Sequence, residues 1–292
     1  MKFYIVIPVH NEEAFIKDCL TSLVTQSLKP EKIIVVDDNS TDNTAKIVKS
    51  LTNEFLFLKL IHKTSSNQHL PGEKVIRAFN YGLDTLDNRY DVICKFDGDL
   101  IFPKKYLETI ASHFKNDSNI GMVSGHCYIQ KNNSWIYENI ASKSHTRGPI
   151  KAYKKACFKA IGGLKTSVGW DSVDELMALY FGWKFYTDHS LLVKHLKPTG
   201  TNYDPKTAAL QGKALYKMRS GFAIALLSAL KMASNKKQGA VLFNYIKGYF
   251  SAWKNKNEFL VTESQGRFIR QYRWISIRKK YRLFKPQQRA SS

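Results

Sequence analysis

The sequence predicts an α/β fold, a mostly parallel twisted sheet with helices on both faces, followed by a basic C-terminal helical extension. Three observations predict it. Apolar β-branched runs alternate with amphipathic helical stripes through the first hundred residues, the pattern of right-handed βαβ units. Three of those runs stop at polar clusters: His10-Asn11-Glu12, Asp37-Asp38-Asn39-Ser40 and Asp97-Gly98-Asp99. The net charge of +21 is unevenly spread, since residues 201–292 hold 19 basic and 3 acidic residues (+16) while residues 1–120 hold 15 and 16 (−1).

Residues 3–9 form a near-continuous apolar run, broken by Pro8, and read as a buried strand. Residues 13–28 place Phe15, Ile16, Cys19, Leu20, Leu23 and Val24 on one helical stripe. Residues 32–36 are expected to be a second strand and 41–51 a second helix. The pair repeats at 55–61 and 75–86, and 90–96 is a fourth strand ending at Asp97. After residue 120 the alternation changes. Strands are expected at 120–124, 150–153 and 184–194, with a turn at Gly162-Gly163-Leu164 and a helix running from the Gly169-Trp170-Asp171 segment to about Phe181. From Thr207 the pattern is helical, with broad apolar faces at 221–233 and 241–253 and an Arg- and aromatic-rich stretch at 267–282.

With 292 residues, 43% of them hydrophobic and 24% charged, the chain is one large domain or one domain with an appendage, which excludes disordered and collagen-like classes. The charge balance over its first 120 residues argues against a wholly nucleic-acid-coating protein. Cys19, Cys94, Cys127 and Cys157 show no CxxC and no His at metal spacing, so reduced thiols in a cytosolic compartment are expected. The opening apolar run is too short for a signal peptide, and no stretch reaches the roughly 18 apolar residues of a spanning helix.

In a parallel sheet, ligands sit outside the carboxyl ends of the strands. No Gly-rich phosphate loop follows the first strand, so this pocket offers carboxylates where a dinucleotide fold offers glycines and amides. An Asp-rich site that holds an anionic nucleotide needs a divalent cation between the two, and carboxylates one residue apart can share Mg²⁺ or Mn²⁺ with diphosphate oxygens. Alone, Asp-Gly-Asp is also a common solvated turn. Its meaning comes from company: Ile7-Pro8-Val9-His10-Asn11-Glu12-Glu13, then Val35-Val36-Asp37-Asp38-Asn39-Ser40, then Asp97-Gly98-Asp99.

In that order these motifs make residues 1–200 resemble a family 2 glycosyltransferase of the GT-A fold, a nucleotide-diphospho-sugar transferase. The resemblance implies a nucleotide-sugar-binding half over 1–118, an acceptor-binding and catalytic half over 119–200, and an extension over 201–292. It implies that Pro8, Val9, His10, Asn11, Glu12, Asp37, Asp38, Lys74, Asp97 and Gly98 bind the nucleotide sugar, and that Asp97, Asp99 and His195 hold the metal, with His195 placed near the metal or the diphosphate and a structural histidine as its other reading. Strand-end carboxylates suit this, since one can accept a base imide N–H and another the ribose hydroxyls, while Lys74 offers a point charge to phosphate; a solvated helix residue is the other reading of Lys74.

The family's acidic pair at a helix start is replaced here by Gly169-Trp170-Asp171-Ser172-Val173-Asp174-Glu175. Counting back from Gly182 puts Asp171 in the place of the family's base, whereas Asp174-Glu175 matches the motif by eye one turn later. Asp171, Asp174 and Glu175 are therefore all catalytic candidates, with Asp171 preferred; Asp171 also suits an N-cap. Trp170 is either an acceptor-stacking platform or a core anchor.

The implied reaction is inverting transfer from a nucleoside-diphosphate sugar, UDP favoured, to a hydroxyl of a glycan or lipid-linked acceptor in cell-surface polysaccharide assembly. A nucleotidyltransferase acting on sugar phosphates is one alternative, though it would show a Gly-rich loop after the first strand. A basic nucleic-acid-binding protein is the other, suggested by the tail. The same basic and aromatic composition describes helices lying on an anionic membrane surface, and a peripheral location on the inner face of the plasma membrane, without nucleic acid, is the expectation.

Overall fold

A computed structural model describes residues 1–65, 72–198 and 205–282. The chain divides into two compact units, Met1–Thr201 and Asn202–Ser292.

In the first unit the elements run β1 (Phe3–Val9), α1 (Ile16–Val24), β2 (Lys32–Asp38), α2 (Thr44–Thr52), β3 (Leu58–Lys63), α3 (Glu73–Asp84), β4 (Val92–Phe96), β5 (Leu100–Ile101), α4 (Tyr106–Asn116), β6 (Ile120–Lys131), β7 (Ser134–Tyr137), β8 (Ile150–Lys154), α5 (Lys155–Ala160), α6 (Trp170–Tyr180) and β9 (Lys184–His195). They build one sheet in the order β3-β2-β1-β4-β8-β6-β9-β5, with β7 added to β6. β3, β2, β1 and β4 are parallel, as the alternation predicts. β8 then runs antiparallel to both β4 and β6, and β9 parallel to β6.

The parallel half is buried on both faces, so β1 reads Phe3, Tyr4, Ile5, Val6 and Ile7 without polar interruption and nearly all of it lies in the core. The four cysteines are buried free thiols. Boundaries differ from expectation at a few ends. β3 begins at Leu58, because Leu51–Phe57 closes α2 with turns in which the Leu58 amide donates to the Phe55 carbonyl, and Phe55 packs edge-on to Phe57. α1 begins at Ile16, where the Glu12 carbonyl accepts the first amides. β5 and α4 were not legible in the sequence: β5 is two residues long and exists through pairing with β9.

The second unit holds α7 (Pro205–Lys217), α8 (Phe222–Lys236), α9 (Gly239–Lys254) and α10 (Glu263–Arg282). α7 and α9 approach through glycines: a Cβ at Gly212 would lie 1.9 Å from the Tyr245 carbonyl oxygen, and one at Gly248 1.9 Å from that of Ala209. The inward faces of α8 and α9 are made of residues such as Ile224, Ala225, Ala229, Val241, Tyr245 and Ala252. Phe222, Leu230, Phe243, Phe250 and Trp253 are left exposed. Among the described residues no helix is long and apolar enough to cross a membrane.

Candidate active site

The strand ends of the parallel half are stitched together by their own side chains. After β1 the chain turns through Asn11, whose φ is 55°; its amide donates to Ser40 Oγ at 3.0 Å and its side-chain oxygen accepts the Thr41 amide at 2.8 Å. His10 Nδ1 lies 2.7 Å from the Asp38 carbonyl oxygen, and the Glu12 amide donates to Thr44 Oγ1 at 2.8 Å. Asn11 thus fixes the loop rather than lining the cleft it frames.

That cleft has a volume of about 370 Å³. It is lined by Pro8, Val9, His10 and Glu12 at the end of β1, Asp38 at the end of β2, Lys74, Val75 and Ala78 on α3, and Asp97, Gly98 and Asp99 after β4. Gly98 is required here, because a Cβ would come within 2.8 Å of Val9 Cγ1. Asp37 is not among the lining residues: its carboxylate turns to His62 Nδ1 at 3.1 Å and accepts the Ser40 amide at 3.2 Å. The expectation that Asp37 faces the nucleotide is therefore corrected in favour of Asp38, its neighbour on the strand.

Three buried carboxylate oxygens of this cleft, Glu12 Oε2, Asp38 Oδ1 and Asp99 Oδ1, have no hydrogen-bond partner among the described residues. The nearest described cation to Asp38 Oδ1 is Lys63, at 3.8 Å. Burial raises the Glu12 carboxyl above its ordinary value, and the like charges of Asp99 and Asp97 add to the rise against Lys197. Bare oxygens on Glu12 and Asp99, whose charges repel, fit a hard divalent cation. Asp97 is paired with Lys95, a lysine buried inside β4.

His195 stands beside Asp99 because β5 pairs Leu100 with His195. Its Nε2 lies 3.4 Å from Asp99 Oδ2 and its Nδ1 2.9 Å from Glu138 Oε2, which also accepts from Arg147 at 2.8 Å. Against the opposing effect of burial, Asp99 and Glu138 raise His195 to about 9. A carboxylate on the far nitrogen is the usual support of a metal-ligating histidine. Cys127, Glu138 and His195 also bring ligand atoms within 4.8 Å of one another, all buried.

The first turn of α6 is fastened to this strand end by Trp170. The indole is buried, at 7% exposure, with the Lys95 and Lys151 ammoniums 5.3 and 5.6 Å from its ring. Lys95 and Lys151 are cross-strand partners on β4 and β8. Trp170 is therefore a core anchor, and the alternative of an acceptor platform is set aside because its ring is covered. Of the three acidic residues on α6, Asp174 receives Lys151 at 2.8 and 2.9 Å and the Tyr153 hydroxyl. Burial raises its carboxyl to about 6 even so. Glu175 accepts from the Thr146 amide at 2.6 Å and from His145 at 2.9 Å. Both are buried and fully engaged, which corrects the expectation that either could meet an acceptor. Asp171 is the open one, with its side chain 34% exposed.

With this geometry in place, the sequence profile described as Glycosyl transferase family 2 matches residues 4–165, more than half the chain. The chain belongs to glycosyl transferase family 2. A poly-beta-1,6-N-acetyl-D-glucosamine synthase from Staphylococcus aureus (strain COL) is 27% identical over 131 residues, 44% of this chain and 29% of the synthase, so the chain spans under a third of that relative's length by this match. The structure of S. aureus TarS 1-349 in complex with UDP-GlcNAc superposes with a TM-score of 0.56 at 18% identity, covering 92% of this chain and 78% of that one. The mannosyltransferase PcManGT from Pyrobaculum calidifontis, in complex with GDP-Man and Mn²⁺, gives 0.56 at 17% identity, covering 97% and 82%. These likenesses establish the GT-A fold. The family match ends before α6, so Asp171 and its surroundings are read from this chain's own geometry.

Five residues around the site, Lys95 among them, are not legible in the sequence. Glu138, His145 and Arg147 lie on the segment between β7 and β8, where no periodicity marks them. Lys151 sits inside a buried strand, as Lys95 does; a lone lysine within a strand-length apolar run was the available signal.

Proposed function

We propose that this chain is an inverting glycosyltransferase that moves a sugar from a nucleoside diphosphate, UDP favoured, to a hydroxyl of a glycan or lipid-linked acceptor in cell-surface polysaccharide assembly. The observation that carries the reading is the cleft at the strand ends, with three buried carboxylate oxygens that have no hydrogen-bond partner among the described residues. Asp38, His10 and the Pro8–Val9 wall would hold the nucleoside, and Lys74 would meet a phosphate. Asp97 and Asp99, with His195 behind Asp99, would hold Mg²⁺ or Mn²⁺. When bound, the cation would supply Lewis-acid stabilisation to the departing diphosphate. Asp171 is held ionised: burial would raise it, but His145, Lys151 and Arg147 together bring it below the ordinary aspartate value. It would take the proton of the attacking hydroxyl, giving inversion at the anomeric carbon.

The test is a panel of UDP-, GDP- and dTDP-sugars incubated with Mn²⁺ or EDTA, with release of nucleoside diphosphate as the readout. One donor class turned over only with the metal supports the reading, and a flat panel overturns it.

The second unit supports peripheral attachment to an anionic membrane, on the inner face of the plasma membrane. Exposed Phe250 and Trp253 on α9 are flanked by Lys247 and Lys254, and α10 exposes Tyr272, Trp274 and Ile275 among arginines. Apolar burial and attraction to acidic lipid act together on such a surface, each basic residue contributing on the order of 1 kcal/mol.

A further inference from the structure

We propose that His145 is a positioning residue for Asp171, a cation clamped between two carboxylates one helical turn apart that fixes and keeps ionised the one open to solvent. This rests on the reading of Asp171 as the base. Asp171 and Glu175 are i and i+4 on α6, so both project from one face. The imidazole sits between them, Nδ1 at 2.9 Å from Glu175 Oε2 and Nε2 at 3.4 Å from Asp171 Oδ2. Both ring nitrogens face carboxylates, an arrangement that only the doubly protonated ring satisfies as a donor at both ends.

Glu175 is the fixed jaw. It accepts the amide and hydroxyl of Thr146 as well as His145, so it holds the 145–146 backbone and the ring at once. Among the described residues the Asp171 carboxylate has His145 in contact, and charge from Lys151 on β8 and Arg147 on the same loop also favours its ionised form. The groups facing the pair are therefore Glu175 and Asp174 on α6, Lys151 on β8, and Arg147 beside it in sequence. Lys151 contacts Asp174 and Arg147 contacts Glu138, and among the described residues His145 is the cation seen in contact with the Asp171 carboxylate. Consistent with that geometry, the two carboxylates raise His145 to about 9 in spite of its burial. A loop fastener alone would need only the bonds from Thr146 and Nδ1; the contact at Nε2 serves Asp171.

The sign of the effect follows. Removing a neighbouring cation disfavours the ionised carboxylate, so Asp171 would take up its proton at higher pH. The experiment uses the full chain, Mn²⁺ and the nucleotide sugar that the panel identifies, with kcat/KM followed against pH for wild type, His145→Gln, His145→Lys and Asp171→Asn. In His145→Gln the acid limb is expected to move up by roughly one unit or more, with affinity for the nucleoside diphosphate of that donor unchanged, and His145→Lys, which restores a cation, to bring it back at least in part. Histidine NMR gives a readout independent of turnover: the ring resonance missing from His145→Gln should titrate well above 6.5 in wild type and fall towards it in Asp171→Asn. An acid limb of His145→Gln that coincides with wild type, or a His145 ring that titrates at or below 6.5, overturns the proposal. Near-normal activity in Asp171→Asn would instead overturn the base assignment on which it rests.

Discussion

Replacing Lys151 with Met removes the ammonium from a fully buried ion pair. Its Nζ, buried completely, contacts both oxygens of Asp174 at 2.8 and 2.9 Å and the Asp171 carbonyl at 2.5 Å, and stands 5.6 Å from the Trp170 ring. In the variant Asp174 keeps the Tyr153 hydroxyl and the Glu175 amide as donors but no cation in contact. Removing one partner of a buried pair costs about 3–5 kcal/mol. Burial already raises the Asp174 carboxyl to about 6, so it can escape at neutral pH by taking up a proton, and the loss should fall near about 3 kcal/mol. A unit of some 200 residues loses roughly 2–4 °C of Tm per kcal/mol, which gives a fall of roughly 6–12 °C. The assay is urea and thermal unfolding followed by circular dichroism for wild type, Lys151→Met, Asp174→Asn and the double variant. The double variant should lose less than the sum of the singles by about 1–3 kcal/mol, since the two residues touch. A single variant within about 0.5 kcal/mol of wild type, or strictly additive losses, would refute the claim that this pair holds α6 against β8.

Asp99→Ala should abolish metal-dependent turnover, with the loss of its contact to His195 offset in part by relief of the repulsion on Glu12; Mn²⁺ should raise the Tm of wild type and not of the variant, and an equal rise in both would contradict the assignment. His145 is raised from 6.5 to about 9, so its contribution is fully present below pH 6.5 and is lost as pH rises through 9; the stability gap between wild type and His145→Gln should shrink over that window, and a gap that widens would show the sign to be wrong. Gly248→Ala should destabilise the second unit by about 1–3 kcal/mol or more, since its Cβ would strike the Ala209 carbonyl, whereas Gly239→Ala, with nothing within 4 Å, should be near neutral; equal effects in calorimetry would dispose of the close-packing account. The full chain should co-sediment with anionic liposomes at low salt, and Phe250→Glu with Trp253→Glu should release it; sedimentation unaffected by the pair of changes would remove those side chains from the membrane reading.

What the sequence made legible was the half whose physics is local. β1, β2 and β4 are buried on both faces, so their apolar runs announce themselves, and the rule that ligands gather at carboxyl ends turned Glu12, Asp38 and Asp97–Asp99 into one site. The second half depends on non-local pairing. β5 is two residues long and owes its existence to β9, yet it is what sets His195 beside Asp99. Trp170 reads equally as a platform and an anchor, because nothing in its neighbours along the chain reveals that Lys95 and Lys151 approach its ring from β4 and β8. Asp174 and Glu175 looked catalytic for the same reason: acidic residues at a helix start do not disclose that Lys151, Tyr153 and Thr146 already occupy them.

The central claim, that the strand-end cleft holds a nucleoside diphosphate through a cation on Asp97 and Asp99, is tested most directly by anomalous diffraction from crystals grown with UDP and Mn²⁺. The account predicts a manganese peak in contact with the Asp99 carboxylate, with uridine density against Pro8, Val9 and Asp38. An empty cleft, or manganese found instead only at the buried Cys127, Glu138 and His195 group, would contradict it.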